Sequence, residues 1–322
     1  MNPTVSIIIP VKEINDYIRE SMPHILALDY DDFEVVIFPD SASEDDFPRT
    51  RIIPTGPAGP AEKRDLALKY ARGEVFAFLD DDAYPARDWL RNAVRHFRKP
   101  NVAAVGGPAV TPRHDSVWQK ASGSVFSSWL ASGRYGYRYL PEGGVREVDD
   151  FPTVNLIIRR SSFERAGGFD TAYWPGEDTK LCHDLTRRLG ERIVYDPEAM
   201  VFHHRRPLFS GHLRQVGRYA FHRGLFAKAL PDTSFRLQYF VPSLFVLWLA
   251  AGGPLSFFSN SMGALYISLL SLYFLLVSSE SVRIGLKEGD FRVGALSVPG
   301  IILTHIVYGL RFMQGFASRR GR

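Results

Sequence analysis

An α/β domain followed by membrane-spanning helices is the fold class this sequence predicts, and three observations predict it. Short runs rich in β-branched and aromatic residues alternate with amphipathic stretches over residues 1–210, the pattern of strands and crossover helices in a mostly parallel sheet. From Leu237 to Ser279 there is no Asp, Glu, Lys, Arg or His. Basic residues crowd both flanks of that window.

The first strand is VSIIIPV. The opening MNPTVSIIIPVKE has no basic leader, and its apolar run stops at Pro10 and Lys12, so a strand is expected rather than a signal peptide. Residues 16–28 have helical spacing, FEVVIF is the second strand, and residues 61–71 form a helix with Leu66, Leu68 and Tyr70 near its inward face. EVFAFLD and VAAVGGP are further strands, with a helix over 86–97 between them. Residues 211–236 hold Arg214, Arg218, Arg223, Lys228 and Arg236 among Tyr219, Phe221 and Phe226, which suits an amphipathic helix at a membrane surface.

Residues 237–322 are the membrane region. A span takes about 20 residues, so the charge-free window holds two, at about 239–258 and 262–279, with SNSM as the turn between them. A third apolar segment at about 294–312 is interrupted by Pro299 and Gly300, and is expected to be short and either re-entrant or surface-lying. Arg283, Lys287 and Arg292 follow the second span. Basic residues prefer the inside, which puts both flanks and the N-terminal domain on the cytoplasmic side; the membrane expected is the inner membrane of a prokaryotic cell. The tail Arg319, Arg320, Arg322 prefers that side too, which conflicts with a third full crossing.

The formal net charge of +4 suits a membrane surface or an anionic substrate and is too small to argue for nucleic acid. A single cysteine, Cys182, excludes an internal disulfide. No GxGxxG follows the first strand, which argues against a nicotinamide-dependent oxidoreductase.

Ligands of open α/β sheets bind at the carboxyl ends of the strands, and the polar residues of interest fall there. Pro10 and Val11 follow the first strand, Asp40 follows FEVVIF, and Asp80, Asp81 and Asp82 follow EVFAFL. In order, the chain carries VSIIIPV, PDSASED, KRD, LDDD, GGF, GED and an apolar run ending in His203. Together these motifs resemble family 2 glycosyltransferases of the GT-A fold, a Rossmann-like domain with a mostly parallel mixed sheet. The resemblance runs from about residue 4 to 219, and it departs from the family pattern at Ser41, Lys63 and Asp65.

The resemblance implies roles. Asp80 and Asp82 form a DxD pair whose side chains share a direction on an extended backbone. Asp82 is expected at a divalent metal, Mn²⁺ or Mg²⁺, with Asp80 at the metal or the ribose and Asp81 the variable middle position. His203 is expected to complete the metal shell, with His204 a near-equal candidate. Asp40 would accept from the base or ribose, and Arg64 would lie near the nucleotide, as would Pro10 and Val11. In GED, Asp178 is the expected base and Glu177 binds sugar or acceptor hydroxyls. Trp174 is a candidate sugar platform or a core residue. QVGRY at 215–219 is similar to the QxxRW pattern, which implies Gln215 and Arg218 at the diphosphate and Tyr219 at the acceptor.

The implied function is an inverting, metal-dependent transfer of a sugar from a nucleoside-diphosphate donor to a lipid-linked or membrane-proximal saccharide. A processive polysaccharide synthase and a non-catalytic nucleotide-sugar-binding protein are the alternatives. Donor, acceptor and the bilayer are the expected partners, nucleic acid is not, and a homo-oligomer stays open.

Overall fold

The computed structural model describes residues 2–173 and 175–318, so Trp174 and the basic tail lie outside the described residues. Among the described residues, eleven strands run β1 (Val5–Pro10), β2 (Phe33–Phe38), β3 (Thr50–Ile52), β4 (Val75–Leu79), β5 (Ala83–Pro85), β6 (Val102–Gly106), β7 (Ala109–Val110), β8 (Arg146–Val148), β9 (Asn155–Arg159), β10 (Arg192–Tyr195) and β11 (Val201–His203). The first helices are α1 (Asp16–Leu26), α2 (Pro60–Asp65), α3 (Ala67–Tyr70), α4 (Trp89–Val94), α5 (Val117–Ser127) and α6 (Trp129–Ser132). They are followed by α7 (Arg160–Ala166), α8 (Glu177–His183), α9 (Ser210–Ala229), α10 (Pro231–Ser234), α11 (Leu237–Ser256), α12 (Asn260–Glu288) and α13 (Phe291–Ala317).

The chain divides into two compact units. One comprises residues 1–110 and 137–204, the other 111–136 and 205–322. All strands belong to the first unit. Its main sheet has eight strands in the order β3-β2-β1-β4-β9-β6-β10-β8. β3, β2, β1 and β4 are mutually parallel, β9 is antiparallel to both of its neighbours, and the sheet is therefore mixed. A second sheet, β5-β11-β7, has three short strands.

β1, β2 and β4 are apolar on both faces, apart from the mutually bonded Ser6 and Glu34, because both faces are covered. Ile7, Ile9, Val35, Ile37, Ala77 and Leu79 share one buried core with Ile18, Met22 and Ile25 of α1 and Trp89 and Leu90 of α4. Phe76 and Phe78 point the other way and meet Phe163 and Phe169 edge to face, with ring centroids 5.3–5.9 Å apart in the closest pairs.

The expected helix over 61–71 is two short ones, and its inward face differs from the expectation. Ala61, Lys63, Arg64 and Ala67 are buried, while Leu66, Leu68 and Tyr70 are only half-buried. The two cations go inward because the carboxylates of Asp40, Asp80 and Glu177 pair with them there.

In the second unit, three helices among the described residues are long and apolar enough to cross a membrane: α11, α12 and α13. α12 outruns its apolar stretch and carries Glu280, Arg283 and Lys287 on its last turns. The break expected at Pro299 and Gly300 is not there, since α13 is one helix of 27 residues. Gly300 serves contact rather than a break, because a Cβ on it would come within 2.8 Å of Val125. Gly315 does the same against α9, where a Cβ would meet the Phe221 carbonyl at 1.9 Å.

Candidate active site

The carboxyl ends of β1, β2 and β4 lie side by side, with Pro10 opposite Phe38 in the ladder. Pairing continues past the strands: the Val11 N–H donates to the Phe38 carbonyl at 3.2 Å and the Asp40 N–H to the Lys12 carbonyl at 2.9 Å. This zipped edge opens on a pocket of about 320 Å³, lined among others by Lys12, Ile14, Arg19, Asp40, Ser41 and Ser43. Behind Asp40 the buried Lys63 ammonium donates to the Val11 carbonyl at 2.6 Å and to Asp40 Oδ1.

β4 stops at Leu79, and the three aspartates turn the chain into β5. β5 pairs antiparallel with β11, with Ala83 opposite His203, and the His204 N–H donates to the Asp82 carbonyl at 2.9 Å. Backbone pairing thereby delivers His203 to Asp82, with Nε2 and Oδ1 3.0 Å apart. Ligand atoms of Asp80, Asp82 and His203 all lie within 4.8 Å of one another. His204, the other candidate, lies instead 3.1 Å from Glu20. Asp81 is bonded to Asn15 Nδ2 at 2.7 Å, and Asn15 is the N-cap of α1. Burial, with Asp82 and Asp80 alongside, pushes the Asp81 carboxyl up to about 6.

Arg64 of α2 reaches both acidic motifs. Its Nη2 donates to Asp80 Oδ1 at 2.6 Å, and its Nη1 lies 3.5 Å from Glu177 Oε1. The guanidinium carbon stands 5.9 Å from the centre of the Phe169 ring. Arg64 Nε is buried without a hydrogen-bond partner, a donor that an incoming oxygen-rich ligand can satisfy. Glu177 and Asp178 open α8. Glu177 Oε2 accepts from the Gly176 N–H at 2.8 Å and Asp178 Oδ1 from the Thr179 N–H at 2.7 Å. Asp65 ties α2 to the GGF segment by accepting from the Phe169 N–H at 2.9 Å. Burial pushes its carboxyl up to about 6 against the pull of that bond and of Arg64.

Two carboxylates and an imidazole at this spacing fit a divalent ion such as Mn²⁺, which accepts oxygen and nitrogen ligands. Sequence reasoning missed Lys63, Asn15 and Asp65 as supports. Asn15 had a signal, an Asn just ahead of a helical run, whereas a buried lysine has none. Gln215, Arg218 and Tyr219 lie on α9 in the other unit, where Gln215 Nε2 donates to the Tyr219 hydroxyl at 3.0 Å and Arg218 and Tyr219 are exposed. The expectation for Trp174 lies outside the described residues.

The chain belongs to glycosyl transferase family 2, whose sequence model matches residues 6–167, half of its length. It is 34% identical over 148 residues to a pre-mycofactocin glycosyltransferase of Mycobacterium tuberculosis, a match covering 46% of this chain and 30% of that protein. The chain thus spans under a third of that relative's length. A dolichyl N-acetyl-alpha-D-glucosaminyl phosphate 3-beta-D-2,3-diacetamido-2,3-dideoxy-beta-D-glucuronosyltransferase of Methanococcus voltae is 22% identical over 333 residues, covering 97% of this chain and 96% of the relative. Among solved structures, a mannosyltransferase from Pyrobaculum calidifontis in complex with GDP-Man and Mn²⁺ superposes with a TM-score of 0.61 at 20% identity, covering 94% of this chain and 88% of that one. The likeness extends to the GT-A fold.

Proposed function

We propose that this chain is an inverting, metal-dependent glycosyltransferase that moves a sugar from a nucleoside-diphosphate donor to a lipid-linked or membrane-proximal saccharide at the cytoplasmic face. The observation that carries this reading is the convergence of Asp80, Asp82, His203, Arg64 and Glu177 at one carboxyl edge. Two similar proteins support it. The Methanococcus voltae relative is named for transfer to a dolichyl phosphate-linked sugar, and the fold neighbour was solved with GDP-Man and Mn²⁺.

In this reading the diphosphate approaches Arg64, whose orphaned Nε supplies a donor, and the nucleoside enters the pocket beside Asp40. Asp80, Asp82 and His203 would hold the divalent ion, Mn²⁺ or Mg²⁺, which when bound draws off the charge developing on the departing diphosphate. Asp178 takes the proton of the acceptor hydroxyl. The acceptor oxygen then bonds to the anomeric carbon from the face opposite the diphosphate, and the carbon–oxygen bond to the diphosphate breaks with its electron pair. Glu177, held by Arg64, lies at the sugar hydroxyls. The QVGRY motif makes Gln215 and Arg218 candidates for the diphosphate and Tyr219 a candidate for the acceptor.

Nucleotide release by the purified chain in detergent tests this, across UDP-, GDP- and dTDP-sugars, with Mn²⁺ or Mg²⁺ and a membrane-lipid extract. Lipid-stimulated release from one donor is expected. Intact donors throughout would contradict it.

A further inference from the structure

The strongest feature left unused by this reading is Lys63. Its side chain is 3% exposed and that of Asp40 is 21% exposed, so the aspartate faces the pocket and the lysine stands behind it. Burying an ammonium costs several kcal/mol unless its protons are satisfied. Here the satisfaction comes from one backbone carbonyl, that of Val11, and from Asp40 Oδ1. Among the described residues, Lys63 is the one group bonded to the Asp40 side chain. The pair is long-range: α2 supplies the cation, the residue after β1 the carbonyl, and the loop after β2 the carboxylate.

We propose that Lys63 is a positioning residue for nucleotide selection: it pins one oxygen of Asp40, so the other meets the base at a fixed place as a pure acceptor. This rests on reading the pocket as the donor nucleoside site. An ionised carboxylate has lone pairs only. Held still, it favours a base edge that offers a ring N–H, as uracil and guanine do, and opposes one that offers a ring lone pair, as cytosine and adenine do. A mobile carboxylate could instead shift to the exocyclic amino groups of cytosine or adenine. The pinning, rather than the aspartate alone, therefore sets the discrimination. On the pocket's other wall the Arg19 guanidinium is held by Asp45 and Asp16, in contacts of 3.0–3.1 Å, and is not the group that grips Asp40.

The test is calorimetric binding of UDP, GDP, CDP and ADP to the full chain in detergent with Mn²⁺, for wild type, Lys63→Met, Asp40→Asn and the double variant. Wild type is expected to bind UDP or GDP at least about tenfold tighter than CDP and ADP, the scale of losing one hydrogen bond to a charged group. Lys63→Met is expected to bring that preference within about threefold. Asp40→Asn should flatten it as well, and the double variant should lose nothing more, because Lys63 acts through Asp40. If Lys63→Met does not fold, Lys63→Gln replaces it, keeping a donor for the Val11 carbonyl without the charge that grips Asp40. A folded Lys63 variant that keeps the wild-type preference, or additive losses in the double variant, would overturn the role of Lys63 and leave the transferase reading standing. Failure of all four nucleotides to bind wild type would remove both.

Discussion

A general base is needed only on the way to the transition state, so Asp178→Asn should separate binding from turnover. We expect kcat to fall by roughly 10²- to 10⁴-fold while donor Kd stays within about twofold. Turnover near wild type in the purified variant would rule Asp178 out as the base. Arg64→Lys probes a different quality, since it keeps the charge but loses the fork that reaches Asp80 and Glu177 together. Donor binding in Mn²⁺ should weaken by about tenfold or more, measured by calorimetry; unchanged binding would mean that the fork does not serve the donor. The residues that meet in the site were legible where they form a motif. Asp80 and Asp82 follow a strand, and His203 ends an apolar run. What was not legible is the inward face of α2. Hydrophobic periodicity treats Lys63 and Arg64 as solvent-facing, and only their distant partners Asp40, Asp80 and Glu177 make their burial affordable.

At the scale of elements, the site depends on short connections that hold its walls. Gly168 has φ +75°, and a Cβ there would come within 2.7 Å of the Asp65 carboxylate. Gly168→Ala should therefore cost about 1–3 kcal/mol through backbone strain, with added loss if Asp65 gives way. Chemical denaturation checks this, and an unchanged midpoint would contradict it. In the second unit, His212 on α9 is fully buried, with Nδ1 2.8 Å from the Ser122 hydroxyl and Nε2 2.9 Å from that of Thr304. Burial, and Arg205 after it, bring its pKa down to about 4 from an ordinary 6.5. The unfolded chain takes up this proton first, so the stability owed to neutral His212 is complete above about pH 6.5 and drains away toward pH 4. Between those values the melting temperature of wild type should drop more than that of His212→Gln; parallel curves would show that His212 does not titrate this way. Four of the longer strands were readable here, while β9, as long as β4 and β6, and β10 and the short strands were not. β1, β2, β4 and β6 have enough apolar residues to show, whereas β5, β7 and β11 have two or three residues each and exist because they pair with one another. Pro299 misled for a related reason: a proline marks a break in an isolated helix, yet packing carries α13 through it.

For the whole molecule, a sheet edge that gathers acids and cations is joined in one chain to three helices long and apolar enough to cross a membrane. We propose that a transferase carrying such helices acts on an acceptor that is itself held at the bilayer, and that is the central claim. The direct measurement is transfer of a radiolabelled sugar from nucleoside-diphosphate donors into a native lipid extract by the purified full chain, with EDTA and then with Mn²⁺ restored. We predict label in the organic phase from one donor, loss with EDTA and recovery with Mn²⁺. Label that stays in the aqueous phase under every condition, with the protein folded, would contradict it.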